Sequence, residues 1–565
     1  MARQTSGATE AATRASLTFE CLHTYFLFPF ALDKEAIRAD HPQAWPGNIR
    51  WIDGLDHWIA GESGGHAVQG MARLGPWRRA SYSNFDLQSP AYSDLLFFHS
   101  IVRHVFFDTN IGRHPDDQEN QLRCYTIETS APDRLWFEGS DSVGTGARAE
   151  VTDLRLFLSA EGIGVLSIGV ATGAIDASEG LWINRRLRKL YPVDADSLRD
   201  GRTPNWLTLR LEQGSEIKPV CEERFEHPEM VGFCPPLANT IKSLLYFADY
   251  SLEEYQPILD ENMLVYSYCE MDADGASDTN SAALDATLED FLYLGHTHAD
   301  VIRYSWGRSS VVFGFTGHSC SIVRFRGAPD FHRGRWNTSH ASRALARDDL
   351  EIQKTFHTRY YLMMVIALFY RAVLLDFSER SALVSRRLLR DQQAGRLTPT
   401  TINLVNLVRT EFVHFCSYWH FDDLSCKQAD NDVFGRLCAE YRIDQMKKIL
   451  SNDLTSMGDF VYNFYQLRNT EAVNRLAMLS LIFGGGAVLT GFFGMNFGGE
   501  FGRLFFEGGG RTPLVHYVMI GLVSSLVFGS LTLGAFVVLR NWRDYLALLS
   551  PPDPRGSSRS LKRDD

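Results

Sequence analysis

The stretch LAMLSLIFGGGAVLTGFFGMN, residues 476–496, decides how the rest of the chain is read. Leu476–Phe493 carries no charge and reaches the length, about 18 residues, at which an apolar helix can span a bilayer. Arg475 flanks it on one side and a glycine-rich segment on the other. A second run, Leu514–Leu539, is longer and equally uncharged, with His516 its only ionisable group besides a tyrosine. Either run alone could be a buried core helix. Two adjacent runs of full length point to membrane insertion.

Lysine and arginine then set the orientation. Arg468 and Arg475 precede the first run, and Arg540, Arg543, Arg555, Arg559, Lys562 and Arg563 follow the second. Only Arg503 and Arg511 lie between them. Positive charge stays on the cytoplasmic side, so both termini are expected in the cytoplasm and the short loop outside. The chain is therefore expected to be an integral protein of a plasma or inner membrane.

The 565 residues as a whole are 45% hydrophobic and 22% charged, the composition of an ordinary globular protein, so most of the chain is expected to fold in water. A mean hydropathy of -0.16 excludes a many-span transporter. The net charge of -12 argues against a nucleic-acid partner, which would call for a basic face. Nine cysteines without a CxxC pair read as reduced thiols and not as a disulfide framework.

Residues 1–345 mix strand-like runs with polar loops, which predicts a cytoplasmic α/β or α+β domain. Leu22–Leu32 reads as a strand despite Pro29. Val151–Ser159 and Ile163–Val170 read as a hairpin, and Leu122–Glu128, Met263–Tyr268 and Val311–Phe315 as further strands. Pro236–Phe247 reads as a helix. From Ala346 the texture becomes helical, with a break at Gly395–Pro399. Leu362–Tyr370 is very apolar but meets Arg371 after half a span, as a buried core helix would. Val433, Leu437, Tyr441, Met446, Leu450, Leu454, Met457, Val461 and Phe464 recur at helical steps, predicting one long amphipathic helix that runs into the first span. The expected division is a cytoplasmic domain over 1–345 and a helical stalk over 346–475. A two-span module follows over 476–540, with spans 476–496 and 514–539, and then a basic cytoplasmic tail over 541–565.

At the outer end of the first run stand Gly494-Met495-Asn496. With two C-terminal spans and a basic tail, the chain here resembles the CorA family of magnesium transporters. The tripeptide is unspecific as a string; its position at that one membrane boundary is what makes the resemblance. It covers the C-terminal module, extends to the helices from Ala346, and is not visible before them. It implies a homopentameric channel, not an enzyme, embedded in lipid, with Gly494, Met495 and Asn496 as selectivity filter. It also implies Mg²⁺ as the transported ion and as a cytoplasmic regulator.

The chemistry suits the ion. Mg²⁺ gives up water reluctantly, so a ring of Asn496 carboxamides is suited to accept hydrogen bonds from its hydration shell. Gly494 is expected to allow a tight turn and Met495 to pack between subunits. Two helices of one chain cannot enclose a hydrated path, so closure by identical subunits is expected. Gly484-Gly485-Gly486 and Gly491 permit close helix approach, as lining or as ordinary small-residue packing.

Counting back from Asn496 in helical steps selects Phe492, Leu489, Gly485, Ile482 and Met478 as pore-lining. An apolar lining binds a hydrated ion little and can gate by dewetting. Ungapped counting from the asparagine of the resembled family places its gate at Val473 and Leu476, which could equally be packing residues. The same count places its regulatory metal ligand at Asp459, which could equally be a solvated surface carboxylate. The loop 497–512 departs from the acidic loops of that family by balancing Glu500 and Glu507 against Arg503 and Arg511. This leaves Zn²⁺, Co²⁺ or Ni²⁺ transport open, as does the large N-terminal domain a ligand-gated membrane signalling effector.

Three other patterns invite metal chemistry. His296-Thr297-His298-Ala299-Asp300 has the spacing of a metallohydrolase, but Val301 stands where a further ligand belongs. His414, Cys416, His420 and Cys426 are zinc-ligand types at spacings that put 414 and 416 on different helix faces. Asp272-Ala273-Asp274-Gly275 resembles a calcium loop with its glycine too early.

Overall fold

The computed structural model describes residues 17–32, 74, 77–80, 95–107, 122–127, 133–140, 146–159, 162–190, 206–220, 238–245, 255–257, 262–272, 281–306, 309–326, 351–394 and 397–506, with isolated positions between 514 and 536. The chain divides into two compact units. One comprises Met1–Glu379 and Phe412–Leu450, the other Arg380–Glu411 and Ser451–Asp565.

The first unit is built on one sheet, fourteen strands among the described residues. Its axis is β1 (Thr18–Leu32), paired antiparallel with β6 (Ile163–Thr172) on one side and β11 (Leu264–Asp272) on the other. Beyond β11 come β14 (Ser319–Arg326), β13 (Ser309–Thr316) and β12 (Asp300–Trp306). Beyond β6 come β5 (Gly146–Leu158), β4 (Arg134–Ser140), β8 (Trp206–Gln213) and β9 (Glu216–Pro219). The β5–β6 hairpin, β1, β3 (Arg123–Thr126), β11 and β13 stand where the residue pattern predicts strands. Pro29 is tolerated within β1 because the β11 ladder ends at Leu27 and the short β10 (Tyr255–Pro257) begins to pair only at Phe30. β11 and β14 run parallel, the exception in an otherwise antiparallel sheet.

Alternation along β1 fixes what each face meets. Leu22, Phe26, Phe28 and Phe30 join a core with Ala177, Leu181, Ile183 and Leu187 of helix Ala177–Leu187. Thr24 Oγ1 donates to Asn184 Oδ1 of that helix at 2.7 Å. On the opposite face Tyr25 packs on Tyr361, ring centroids 4.4 Å apart, and Tyr361 donates to Ser167 Oγ of β6 at 2.8 Å. Gly169 leaves room for the Tyr25 ring, which a Cβ there would approach to 2.8 Å.

The helical part of the chain begins at Glu351–Thr355, passes through a π segment Phe356–Tyr360, and continues as Tyr361–Gln393, here called α1. Among the described residues, Ile352–Gln393 is long and apolar enough to cross a membrane by length and composition, but 78% of its apolar window is buried. Leu362–Tyr370 is wholly buried against the sheet and its neighbours, the core helix that Arg371 led us to expect. Arg371 itself donates to the Gly317 carbonyl at 2.6 Å.

Helix α2 (Pro399–His414) starts after the expected break, with Thr398 as its cap: Thr401 N–H donates to Thr398 Oγ1. Asp391 accepts from both the Thr398 amide and its hydroxyl at 2.8 Å. A second π segment, Phe415–Trp419, follows, then α3 (Gln428–Glu440) and α4 (Ile443–Phe506). In the second unit Val384, Leu388, Val405, Val408, Leu454 and Val461 are buried, and Arg380 pairs with Glu411.

Two expectations are corrected. The single amphipathic helix predicted from Val433 is two helices, because Arg442 adopts φ 56°. The Tyr441 and Arg442 amides close the end of α3 onto the Leu437 and Ala439 carbonyls. No glycine or asparagine marks this left-handed position, so nothing in the residue pattern signals it. Nor does the backbone turn at Gly494. Helix α4 continues through Gly494-Met495-Asn496 to Phe506.

Candidate functional site

Helix α4 changes character along its length. Leu450, Leu454 and Val461 are buried, following the helical repeat. Beyond Val461 the described apolar residues mostly turn outward: Leu467, Val473, Leu476, Met478 and Phe483 are exposed, while Leu479 is buried. In the second apolar run the described positions are helical, and Leu514, Tyr517, Val518, Leu522, Phe528 and Phe536 are exposed. So many exposed apolar residues are unusual for a monomer in water and suit a segment covered by lipid or by another chain. Among the described glycines, a Cβ at Gly484, Gly486 or Gly491 would meet no atom within 4 Å. Nothing described inside this chain therefore requires these glycines.

Of the expected pore residues, Met478 is exposed; Ile482, Gly485, Leu489, Phe492, Gly494, Met495 and Asn496 have helical backbone, and their side chains lie outside the described residues. Val473 and Leu476 are exposed on the same helix, as is Asp459. Helix continuity constrains these assignments. At about 100° per residue, Met478 stands roughly 140° around the helix from Val473 and about 160° from Leu476. Phe492, Leu489, Gly485 and Ile482 share the side of Met478 by the same count. The filter-side set and the gate pair thus occupy different faces, and a straight helix can turn only one of them to an axis.

The metal-like patterns resolve differently. Asp300 pairs with Arg436, His298 is exposed, and His296 stacks on His318 at 5.2 Å. His318 is held near pKa 4, by burial first and then by Arg371. The three motif residues do not converge. Asp274 and Gly275 of the calcium-like loop lie outside the described residues. Of the four zinc-type residues, His414 stacks on Tyr418 and Cys426 is exposed.

His420 instead meets Asp422 and Asp444, one ligand atom from each lying within 4.8 Å of the others. Lys447 Nζ sits 3.4 Å from both ring nitrogens of His420 and 3.5 Å from Asp444 Oδ1. The His420 ring is buried and stacked on Tyr370 at 4.9 Å, whereas the two carboxylates are exposed. Burial, then Lys447, lowers the pKa of His420. Cys438 lies close enough to feel Asp444 and Asp422, and burial with these charges pushes its thiol up to about 12. The sequence could not single out this cluster, because Asp444 belongs to a helix beyond the Arg442 break.

No protein-family model matches the chain, and no curated protein matches it. Among solved structures the chain is similar to the CorA magnesium transporter from Methanocaldococcus jannaschii, at 12% identity and a TM-score of 0.19. The match covers 54% of this chain and 95% of that one. A superposition this loose does not establish a common fold, and the functional reading rests on the residues themselves.

Proposed function

We propose that the chain is the subunit of an oligomeric divalent-cation channel that passes hydrated Mg²⁺. The observation that carries this reading is the outward turn of apolar side chains along α4 beyond Val461, on the helix that holds Gly494-Met495-Asn496. Copies of α4 assembled around an axis would cover part of that surface, with lipid and the second span covering the rest. Fivefold closure is part of the proposal, as is a ring of Asn496 carboxamides accepting hydrogen bonds from the ion's water. The ion keeps its first shell, so the filter does not have to supply a rigid cage of six oxygens. An apolar constriction on α4 closes the path by dewetting. Asp459, exposed on the same helix, is the candidate for cytoplasmic Mg²⁺ regulation.

The direct test is Mg²⁺ flux into proteoliposomes. Asn496→Ala should abolish or strongly reduce it, and unchanged flux would refute the proposal. Ion competition in the same assay separates Mg²⁺ from Zn²⁺, Co²⁺ or Ni²⁺ as cargo. The breadth of the fourteen-stranded sheet favours a second reading, in which the first unit binds a cellular ligand that gates the pore. Flux that depends on an added cytosolic extract fraction, and not on Mg²⁺ inside the vesicle, would support it.

A further inference from the structure

We propose that His420, Asp422 and Asp444 form a binding site for a transition-metal dication of the Zn²⁺, Co²⁺ or Ni²⁺ class, with Lys447 as its built-in competitor. The donor atoms lie within 4.8 Å of one another, so a movement of the exposed carboxylates by roughly 1 Å brings them to the spacing of about 3.3–3.5 Å between neighbouring ligands of a tetrahedral ion. The buried imidazole is the fixed element, held by its stack on Tyr370. The exposed carboxylates can close on an ion from the solvent side and leave positions for water. One imidazole with two carboxylates suits a borderline metal, whereas Mg²⁺ prefers oxygen ligands and keeps its water.

In the structure Lys447 Nζ stands between His420 and Asp444, the place of positive charge in this cluster. A dication can bind only if that ammonium swings away, which the partly exposed side chain of Lys447 permits. The site joins the segment after Phe415–Trp419 to the first turn of α4. Loading it would tie that segment to the helix that carries Asn496. The inference goes beyond the channel reading and uses a readout that flux does not enter.

The test is equilibrium dialysis of the purified full-length protein against Zn²⁺, with millimolar Mg²⁺ present to occupy hard-oxygen sites. Asp422→Asn and Asp444→Asn change exposed side chains, so both variants should fold. Each should weaken the tightest Zn²⁺ binding by about tenfold or more. Lys447→Met should tighten it by a comparable factor, because the competing charge is gone. Zn²⁺ binding that is indifferent to both asparagine variants would overturn the proposal. So would a Lys447→Met protein that binds no more tightly than wild type.

Discussion

Acid should destabilise the sheet unit through a particular histidine, and the structure gives the size of the effect. His357 lies in the π segment with Nδ1 2.8 Å from the Tyr25 hydroxyl and its ring edge-on to His23 at 4.8 Å. Burial raises the Tyr25 pKa far above its usual range, so the phenol stays neutral and shares a hydrogen bond with His357 Nδ1. Protonating the ring places a charge in this buried setting, which is what resists it. Burial first, then the neighbouring His23 and Arg155, lowers the His357 pKa from 6.5 to about 4.

The folded-state value is depressed, so between those two pH values the unfolded chain takes up a proton that the folded chain refuses. Stability from this group is fully present above pH 6.5 and is lost as pH falls toward 4. The loss is about 1.4 kcal/mol per pH unit, roughly 3 kcal/mol in all. His318, also held near 4, adds in the same direction. His357→Gln keeps an acceptor for Tyr25 and cannot titrate. Urea unfolding can be followed by labelling the buried thiols of Cys269 and Cys320, both of which lie in this unit. The variant should show a shallower fall of stability between pH 6.5 and 4.5, by about one proton's worth. A slope equal to that of wild type would refute the reasoning.

Asp430 is fully buried, paired with Arg359 at 2.9 Å and accepting from Ser425 Oγ at 2.7 Å. Asp430→Ala leaves a buried guanidinium without its counter-charge and should cost about 3–5 kcal/mol, read as a lowered urea midpoint. Arg442→Gly should instead stabilise by roughly 0.5–1 kcal/mol, because glycine adopts the positive φ without steric cost; a lowered midpoint would mean that the arginine side chain matters more than its backbone. Gly314→Ala should destabilise, since its Cβ would meet Leu292 Cβ at 2.8 Å and the Leu292 carbonyl at 3.1 Å. If the chain forms the proposed channel, cysteines introduced at Val473, Leu476 and Met478 of a variant freed of its native cysteines should divide by face: silver-ion block at 473 and 476 without block at 478, or the reverse. Equal block at all three would mean that α4 is not straight in the assembly.

Much of the sheet was legible in the chain because alternation and β-branched or aromatic residues are local signals. Leu22–Leu32 and the hairpin around Gly162 are examples. The order of strands was not legible, and the parallel pairing of β11 with β14 depends on contacts between segments far apart in sequence. The Arg442 break was missed for a related reason. Residues on either side keep the helical repeat, and a left-handed arginine is chosen by the packing of Tyr441 and Ile443, both buried.

By itself the sequence determined two uncharged runs of spanning length, their charge bias, and the tripeptide at the end of the first. These are properties of a single segment and need no partner to define them. Only the tertiary structure decided that the helical repeat breaks at Arg442, that α4 continues through Gly494, and that His420 meets Asp422 and Asp444. Burial, helix continuity and convergence of side chains are set by which surfaces the whole chain can pack together, and no local pattern encodes that choice.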